Sequence, residues 1–163
     1  MTNPIKNPDM PAPSSNRFTE HVVDTPEFLE LPIDALPLVD RFYKDCGEKA
    51  RTGKTDRVFV LKQQHRWLAA ARIVRIDSAL LLRNLTVLPA LRRRGLARQL
   101  MTLMLDRLQT DVYCYALAEL EVFYASLGFS KAGAESVPAA IATPFIRYQN
   151  NGKSFVLMAY NSH

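Results

Sequence analysis

The sequence predicts a mixed α/β (α+β) fold, with a central, mostly antiparallel sheet, one parallel crossover and flanking helices. Three observations predict it. Apolar runs of strand length alternate with segments whose apolar residues recur at helical spacing. An apolar strand at 79–87, a helical pattern at 95–108 and a strand at 111–117 follow in direct succession. Neighbouring strands joined through a helix run parallel, with a right-handed crossover. Elsewhere the runs sit close enough for hairpins. At 163 residues the natural count is one domain, with enough chain for a real core.

The elements follow in order. Pro4, Pro8, Pro11 and Pro13 interrupt the N-terminus, which lacks a continuous apolar segment. It reads as an irregular arm over 1–16, neither signal peptide nor membrane span, ahead of one domain over 17–163. Arg17 to Asp24 reads as a first strand, broken by Thr25-Pro26. Over Ile33 to Tyr43, Leu36, Val39 and Phe42 recur at helical spacing, with Pro32 and Pro37 as punctuation. A basic, solvated loop follows over 47–55. Its Gly53-Lys54-Thr55 imitates the end of a phosphate-binding Walker loop, but Gly47 lies one residue too far upstream. The context is also reversed, since this loop leaves a helix and enters a strand. Arg57 to Gln63 and Trp67 to Ile76 form a hairpin through Gln64-His65-Arg66. Ala79 to Val87 is nearly all apolar, as a buried central strand should be, and Pro89 ends it.

Beyond it, a helix from about Gly95 to Leu108 carries Leu96, Leu100, Leu103, Met104 and Leu108 on one face. Asp111 to Leu117 is a strand. Ala118 to Leu127 is a helix striped by Leu120, Phe123, Tyr124 and Leu127, with Gly128 at a left-handed C-cap. A short strand starts at Phe129. Pro138 to Asn150 shows Ile141, Phe145 and Tyr148 at helical spacing despite Pro144, and Lys153 to Tyr160 is the last strand.

Composition narrows the function. The net charge of +5 suits an acidic ligand but is too modest to require nucleic acid, and no basic–aromatic interleaving accompanies it. Cys46 and Cys114 lie far apart without a CxxC pair, so they read as buried, reduced thiols in a cytoplasmic protein. His21, His65 and His163 are scattered, which gives no metal site.

The informative stretch runs from Leu85 to Arg98. An apolar strand enters a turn with one glycine, Gly95, and a helix follows. Arg92, Arg93, Arg94 and Arg98 crowd the helix start. That end already carries positive partial charge, so cations there cost about 0.3–1 kcal/mol apiece. The pattern makes sense if an anion sits on the free amides and the arginines surround it. A solvated basic surface is the bland alternative. The spacing Arg92-x-x-Gly95-x-Ala97 resembles the Q/R-x-x-G-x-G/A loop of the GNAT family of N-acetyltransferases. Val122-Phe123-Tyr124-Ala125-Ser126-Leu127-Gly128-Phe129 resembles that family's F-Y-x-x-x-G-F segment.

The resemblance implies a GNAT-like acyl-CoA acyltransferase fold and acetyl-CoA as co-substrate, without a metal. Amides of Arg93, Arg94, Gly95, Leu96 and Ala97 would reach the pyrophosphate, with Arg92, Arg94 and Arg98 available for side-chain contacts. The strand around Leu85, Thr86 and Val87 would be bulged and splayed, presenting amides to the pantetheine and the thioester carbonyl. Tyr124 would protonate the departing thiolate. A tyrosine on an apolar helical stripe is otherwise core, and it is the motif that favours the acid.

The general base has no clear candidate. The strand 79–84 holds no Asp or Glu, and Asp77, Glu119 and Glu121 read as ordinary surface or helix-start carboxylates. The family's frequent Asn near Leu117 is absent. Arg83, inside an apolar strand, must find a partner or water. It is a candidate for binding an anionic group of the acceptor, with a structural ion pair as the alternative. The expectation is direct acetyl transfer to a small primary amine within a ternary complex. The rivals are acetylation of a protein N-terminus or lysine, a silent acyl-CoA-binding module, and a nucleic-acid binder. The acceptor, the acyl length and the oligomeric state, a homodimer among the options, are left open.

Overall fold

The computed structural model describes residues 25–162. The expected arm, the strand expected at Arg17–Asp24, His21 and His163 lie outside them. The first described strand, β1 (Glu27–Glu30), was not foreseen; it begins directly after Pro26. A 3-10 turn (Ile33–Ala35) leads into α1 (Leu36–Asp45), which carries Pro37 in its first turn, where a missing N–H costs nothing. The hairpin follows as β2 (Arg57–Gln63) and β3 (Arg66–Ile76), then β4 (Ala79–Val87), α2 (Leu96–Leu108) and β5 (Val112–Leu117). The expected second helix is a 3-10 turn over Ala118–Leu120 running into α3 (Glu121–Ser126). Then come β6 (Phe129–Lys131), α4 (Ala139–Asn150) with Pro144 inside it, and β7 (Phe155–Tyr160).

The strands form one sheet in the order β1-β2-β3-β4-β5-β7-β6, and the β4–β5 pair is the parallel one. This is the predicted crossover, made by α2. The helices divide the sheet's faces. On one face α2 and α3 cover Phe59, Ala71, Ile73, Leu80, Leu82, Cys114 and Met158. On the other, α1 covers the β2–β3 end through Val39, Phe42 and Tyr43 against Val58, Val60 and Ala70, while α4 covers the β4–β5–β7 end through Ile141 and Phe145 against Leu81 and Leu157.

Along α2 the buried residues are Leu100, Met101, Met104, Leu105 and Leu108, whereas Leu103 is exposed. The apolar stripe is therefore rotated from the expected one. Met101 and Leu105 point at the sheet, and Leu103 sits on the stripe's outer edge. The loop over 47–55 is pinned rather than simply solvated, because the Thr52 amide and hydroxyl donate to Asp40 Oδ1 at 2.8 and 2.9 Å. Lys49, Arg51 and Lys54 are exposed on it. Cys46 and Cys114 are buried free thiols, as expected.

Candidate active site

The sheet opens between β4 and β5. These strands pair at Leu81↔Tyr113 and Leu82↔Cys114, and no further pairing joins them, although β4 continues to Val87 and β5 to Leu117. Beyond Leu82 each strand remains laddered to its outer neighbour. Thr86 and Val87 pair with Ala70 and Ala69, and Tyr115 through Leu117 pair with Leu157 through Phe155. The two facing edges are thus held apart by their own ladders.

A bulge in β4 sits at the fork. Arg72 opposes Arg83 and Ala70 opposes Thr86, so Asn84 and Leu85 stand against the single residue Ala71. Asn84 takes the extra turn with φ 55°, a left-handed conformation that asparagine tolerates better than most residues. Its Oδ1 accepts from Arg72 Nε and Nη2 at 3.2 and 2.6 Å, which fixes the kink. The bulge reverses the inside–outside parity of the strand. Leu80 and Leu82 face α2, and so do Leu85 and Val87. Arg83 follows Leu81 onto the opposite face, where α4 lies. A regular strand would have put Arg83, Leu85 and Val87 together; the bulge separates them.

The opening is a slot of about 320 Å³ that reaches both faces. On the α2–α3 face it is lined by Leu82, Leu85, Cys114 and Tyr124. On the α4 face Arg83, Tyr115, Tyr148 and Phe155 line it, with the exposed Lys153 nearby on its wall. Sequence reasoning missed Tyr148, Lys153 and Phe155 as lining residues. They belong to the C-terminal elements, and only the sheet order brings those beside β4.

Tyr124 is both core and lining. It is 7% exposed and packs edge-on against Phe123 and Phe129, at centroid distances of 5.2 and 5.4 Å. Burial, reinforced by the neighbouring Cys114, raises its phenol well above the ordinary range. Burial pushes the Cys114 thiol up to about 12. Both groups therefore hold their protons at neutral pH. Arg83 donates to the Tyr148 hydroxyl at 3.1 Å and has no carboxylate within ion-pair distance among the described residues. The structural ion pair expected as its alternative is instead made by its cross-strand neighbour. Arg72 Nη1 meets Asp56 Oδ2 at 2.8 Å, with the two side chains 12% and 4% exposed. No Asp, Glu or His lines the slot. Asp77 is in the β3–β4 turn, Glu119 in the 3-10 turn before α3 and Glu121 at the first residue of α3, all outside the slot.

The loop that ends β4 enters α2 without a cap. Arg93 (φ 67°) and Gly95 (φ 80°) are both left-handed, and Gly95 is the N-cap with no side-chain cap. Gln99 N–H makes the first helical bond, to the Gly95 carbonyl at 3.0 Å. The preceding amides of the first turn have no intrahelical acceptor, and no acidic residue lies there. A Cβ on Gly95 would meet nothing within 4 Å, so the glycine is there for its backbone conformation and leaves space above the amides. Arg92 folds back, Nε donating to the Val87 carbonyl at 3.3 Å. Arg98 Nη2 donates to Ser126 Oγ at 2.7 Å and its guanidinium lies 5.7 Å from the Phe123 ring centroid, tying α2 to α3. Arg93 and Arg94 are exposed. Uncapped amides, alternating left-handed residues and surrounding arginines fit a phosphate group.

Among the described residues no group of three or more His, Cys, Asp or Glu could hold a metal, and no helix is long and apolar enough to cross a membrane.

Residues 54–131 match the model of the acetyltransferase (GNAT) domain. No curated protein matches the sequence. Among solved structures the chain is similar to N-acetylglutamate synthase from Neisseria gonorrhoeae, complexed with coenzyme A and N-acetyl-glutamate: 15% identity over 85% of this chain and 35% of that one, TM-score 0.64. The chain thus spans about a third of that protein's length. It is similar to Escherichia coli ElaA, with 21% identity over 84% of this chain and 100% of that one, TM-score 0.61. It is also similar to the ribosomal-protein-S18-alanine N-acetyltransferase from Escherichia coli, with 18% identity over 85% of this chain and 94% of that one, TM-score 0.60. The mixed seven-stranded sheet is the fold of these acyltransferases.

Proposed function

We propose that this chain, whose residues 54–131 match the acetyltransferase (GNAT) domain, is an acetyl-CoA-dependent N-acetyltransferase of that family. It moves an acetyl group directly to a primary amine of a small molecule within a ternary complex. One observation carries the reading: the slot between β4 and β5 passes through the sheet, with Tyr124 at one mouth and Arg83 at the other, beside an uncapped, arginine-rich helix start.

The uncapped amides of Leu96 and Ala97, with Arg93, Arg94 and Gly95 before them, hold the pyrophosphate. Arg92 and Arg98 flank it. The unpaired β4 edge at Leu85, Thr86 and Val87 takes the pantetheine arm. Acetyl-CoA supplies the activated acetyl group as a thioester. β4 amides aimed at the carbonyl oxygen would stabilise the charge that develops there. Tyr124, protonated by virtue of its burial, gives its proton to the thiolate sulfur. Confinement in the slot supplies the orientation. With no carboxylate or imidazole on the slot wall, the amine is taken up from solution already neutral. The raised Cys114 thiol argues against a covalent acetyl-cysteine, since the thiolate is the nucleophile.

A cytoplasmic setting fits the two free thiols. The neighbour that acetylates a ribosomal protein keeps protein acceptors as the second reading. The slot's modest volume favours a small molecule. An acceptor screen read by CoA thiol release tests the proposal. The expected result is amine-dependent release with at least one small amine. Release with peptides alone would assign a protein acceptor, and CoA binding without any release would leave a silent module.

A further inference from the structure

Arg72 and Arg83 lie opposite each other on β3 and β4, and the fold treats them differently. Arg72 is enclosed by Asp56, Asn84 and the Arg51 carbonyl. Arg83 is left with one neutral partner, the Tyr148 hydroxyl. A guanidinium offers five donors, so most of its hydrogen-bonding capacity is not taken up by the described residues, and the side chain belongs to the slot's lining. Lys153 brings a second cation to the same wall, and no acid lines the slot to offset either charge. Tyr115 cannot supply an anion: its hydroxyl is committed to the Ile141 carbonyl at 2.7 Å, and burial raises its phenol.

This charge is on the wrong face to serve the phosphates. The uncapped start of α2 is on the side of Leu85 and Val87, whereas the bulge at Asn84 sends Arg83 to the α4 side. An anion bound by Arg83 therefore comes with the other substrate. On the acetyltransferase reading above, we propose that the acceptor is an amine bearing a carboxylate of its own, such as an amino acid. Arg83 grips the carboxylate with its planar fork, with Lys153 adding a less directional cation at the rim. Tyr148 steers the fork, and Tyr115, Tyr148 and Phe155 form an aromatic wall against which the acceptor's apolar part lies.

The test compares amino acids with their own carboxamides, together with a polyamine and a short neutral peptide, by thiol release. Wild type should prefer each usable acid over its amide by on the order of 10- to 100-fold in kcat/KM, the range for a hydrogen-bonded charge. Arg83→Met should erase the preference, and the exposed Lys153→Met, which leaves the fold intact, should reduce it several-fold. Acetyl-CoA affinity, measured separately, should not move in either variant. Equal use of acid and amide, turnover confined to the polyamine or peptide, or a preference that survives Arg83→Met would overturn the proposal while leaving an acetyltransferase. No release with any acceptor, despite CoA binding, would remove both.

Discussion

Leu82 and Cys114 are the last residues to bridge β4 and β5, and everything assigned to chemistry lies just beyond that bridge. Past it, Leu85 and Tyr124 face one side of the sheet and Arg83 and Tyr148 the other. On the acetyltransferase reading proposed above, the fork divides the slot into a donor mouth and an acceptor mouth.

At the donor mouth, CoA or acetyl-CoA should raise the melting temperature by linkage. Gly95→Glu should abolish that rise. The side chain has room in the free protein, and the left-handed φ of 80° costs about 1–2 kcal/mol for a non-glycine residue, so the variant folds. A carboxylate above the helix amides then competes with the phosphate. Undiminished CoA binding by folded Gly95→Glu would remove the cradle.

Tyr124→Phe keeps the ring packing with Phe123 and Phe129 and removes the proton. Turnover should fall on the order of 100-fold, with CoA affinity close to wild type. Unchanged turnover, with chemistry shown to be rate-limiting, would make Tyr124 a core residue alone.

The pH dependence separates the protein's groups from the substrate's. Because burial raises the Tyr124 phenol, it stays protonated through and above an ordinary tyrosine's range, and no alkaline loss of rate should arise from it near pH 10. With no base on the slot wall, kcat/KM should rise with pH up to the acceptor amine's own pKa. A set of acceptors with different amine pKa values should shift that limb in step. A limb fixed at one pH for all acceptors would reveal a protein base.

Cys114→Ala should retain activity within a few-fold, since a thiol pushed up to about 12 is a poor nucleophile at neutral pH. Its loss of activity, or an acetylated Cys114 in intact-mass spectra without acceptor, would replace direct transfer by a two-step route.

Arg72→Met tests the scaffold rather than the chemistry. It leaves Asp56, whose side chain is 4% exposed, without its cation. Loss of one partner of a buried pair costs about 3–5 kcal/mol, and denaturant unfolding should show a drop of that order. A drop below about 1 kcal/mol, the scale of surface pairs, would mean that the Asn84 kink is held by something else.

Much of this was legible in the chain. The strand over Ala79–Val87 is apolar enough to be bounded to the residue, and Gly128 (φ 104°) marks the end of α3. The loop from Arg92 to Arg98 was readable because charge, glycine and a strand–turn–helix context coincide locally. β1 was missed because a four-residue strand with glutamates at both ends has no apolar run to announce it. Leu103 was misplaced because leucines at adjacent positions on a wheel do not reveal which edge of the stripe meets the sheet. The fork could not be read from pattern alone. It depends on β4 and β5 each keeping an outer partner, and on Asn84 adopting a positive φ. Tyr148 and Lys153 reach the slot only because β7 returns beside β5.

The most direct test is the structure with CoA bound. The pyrophosphate should lie on the amides at the start of α2, and the sulfur should sit in the fork within hydrogen-bond reach of the Tyr124 hydroxyl. CoA seated instead in the depression between α2 and α3, lined by Thr102, Asp106, Gln109 and Tyr160, with the β4–β5 slot empty, would contradict the account.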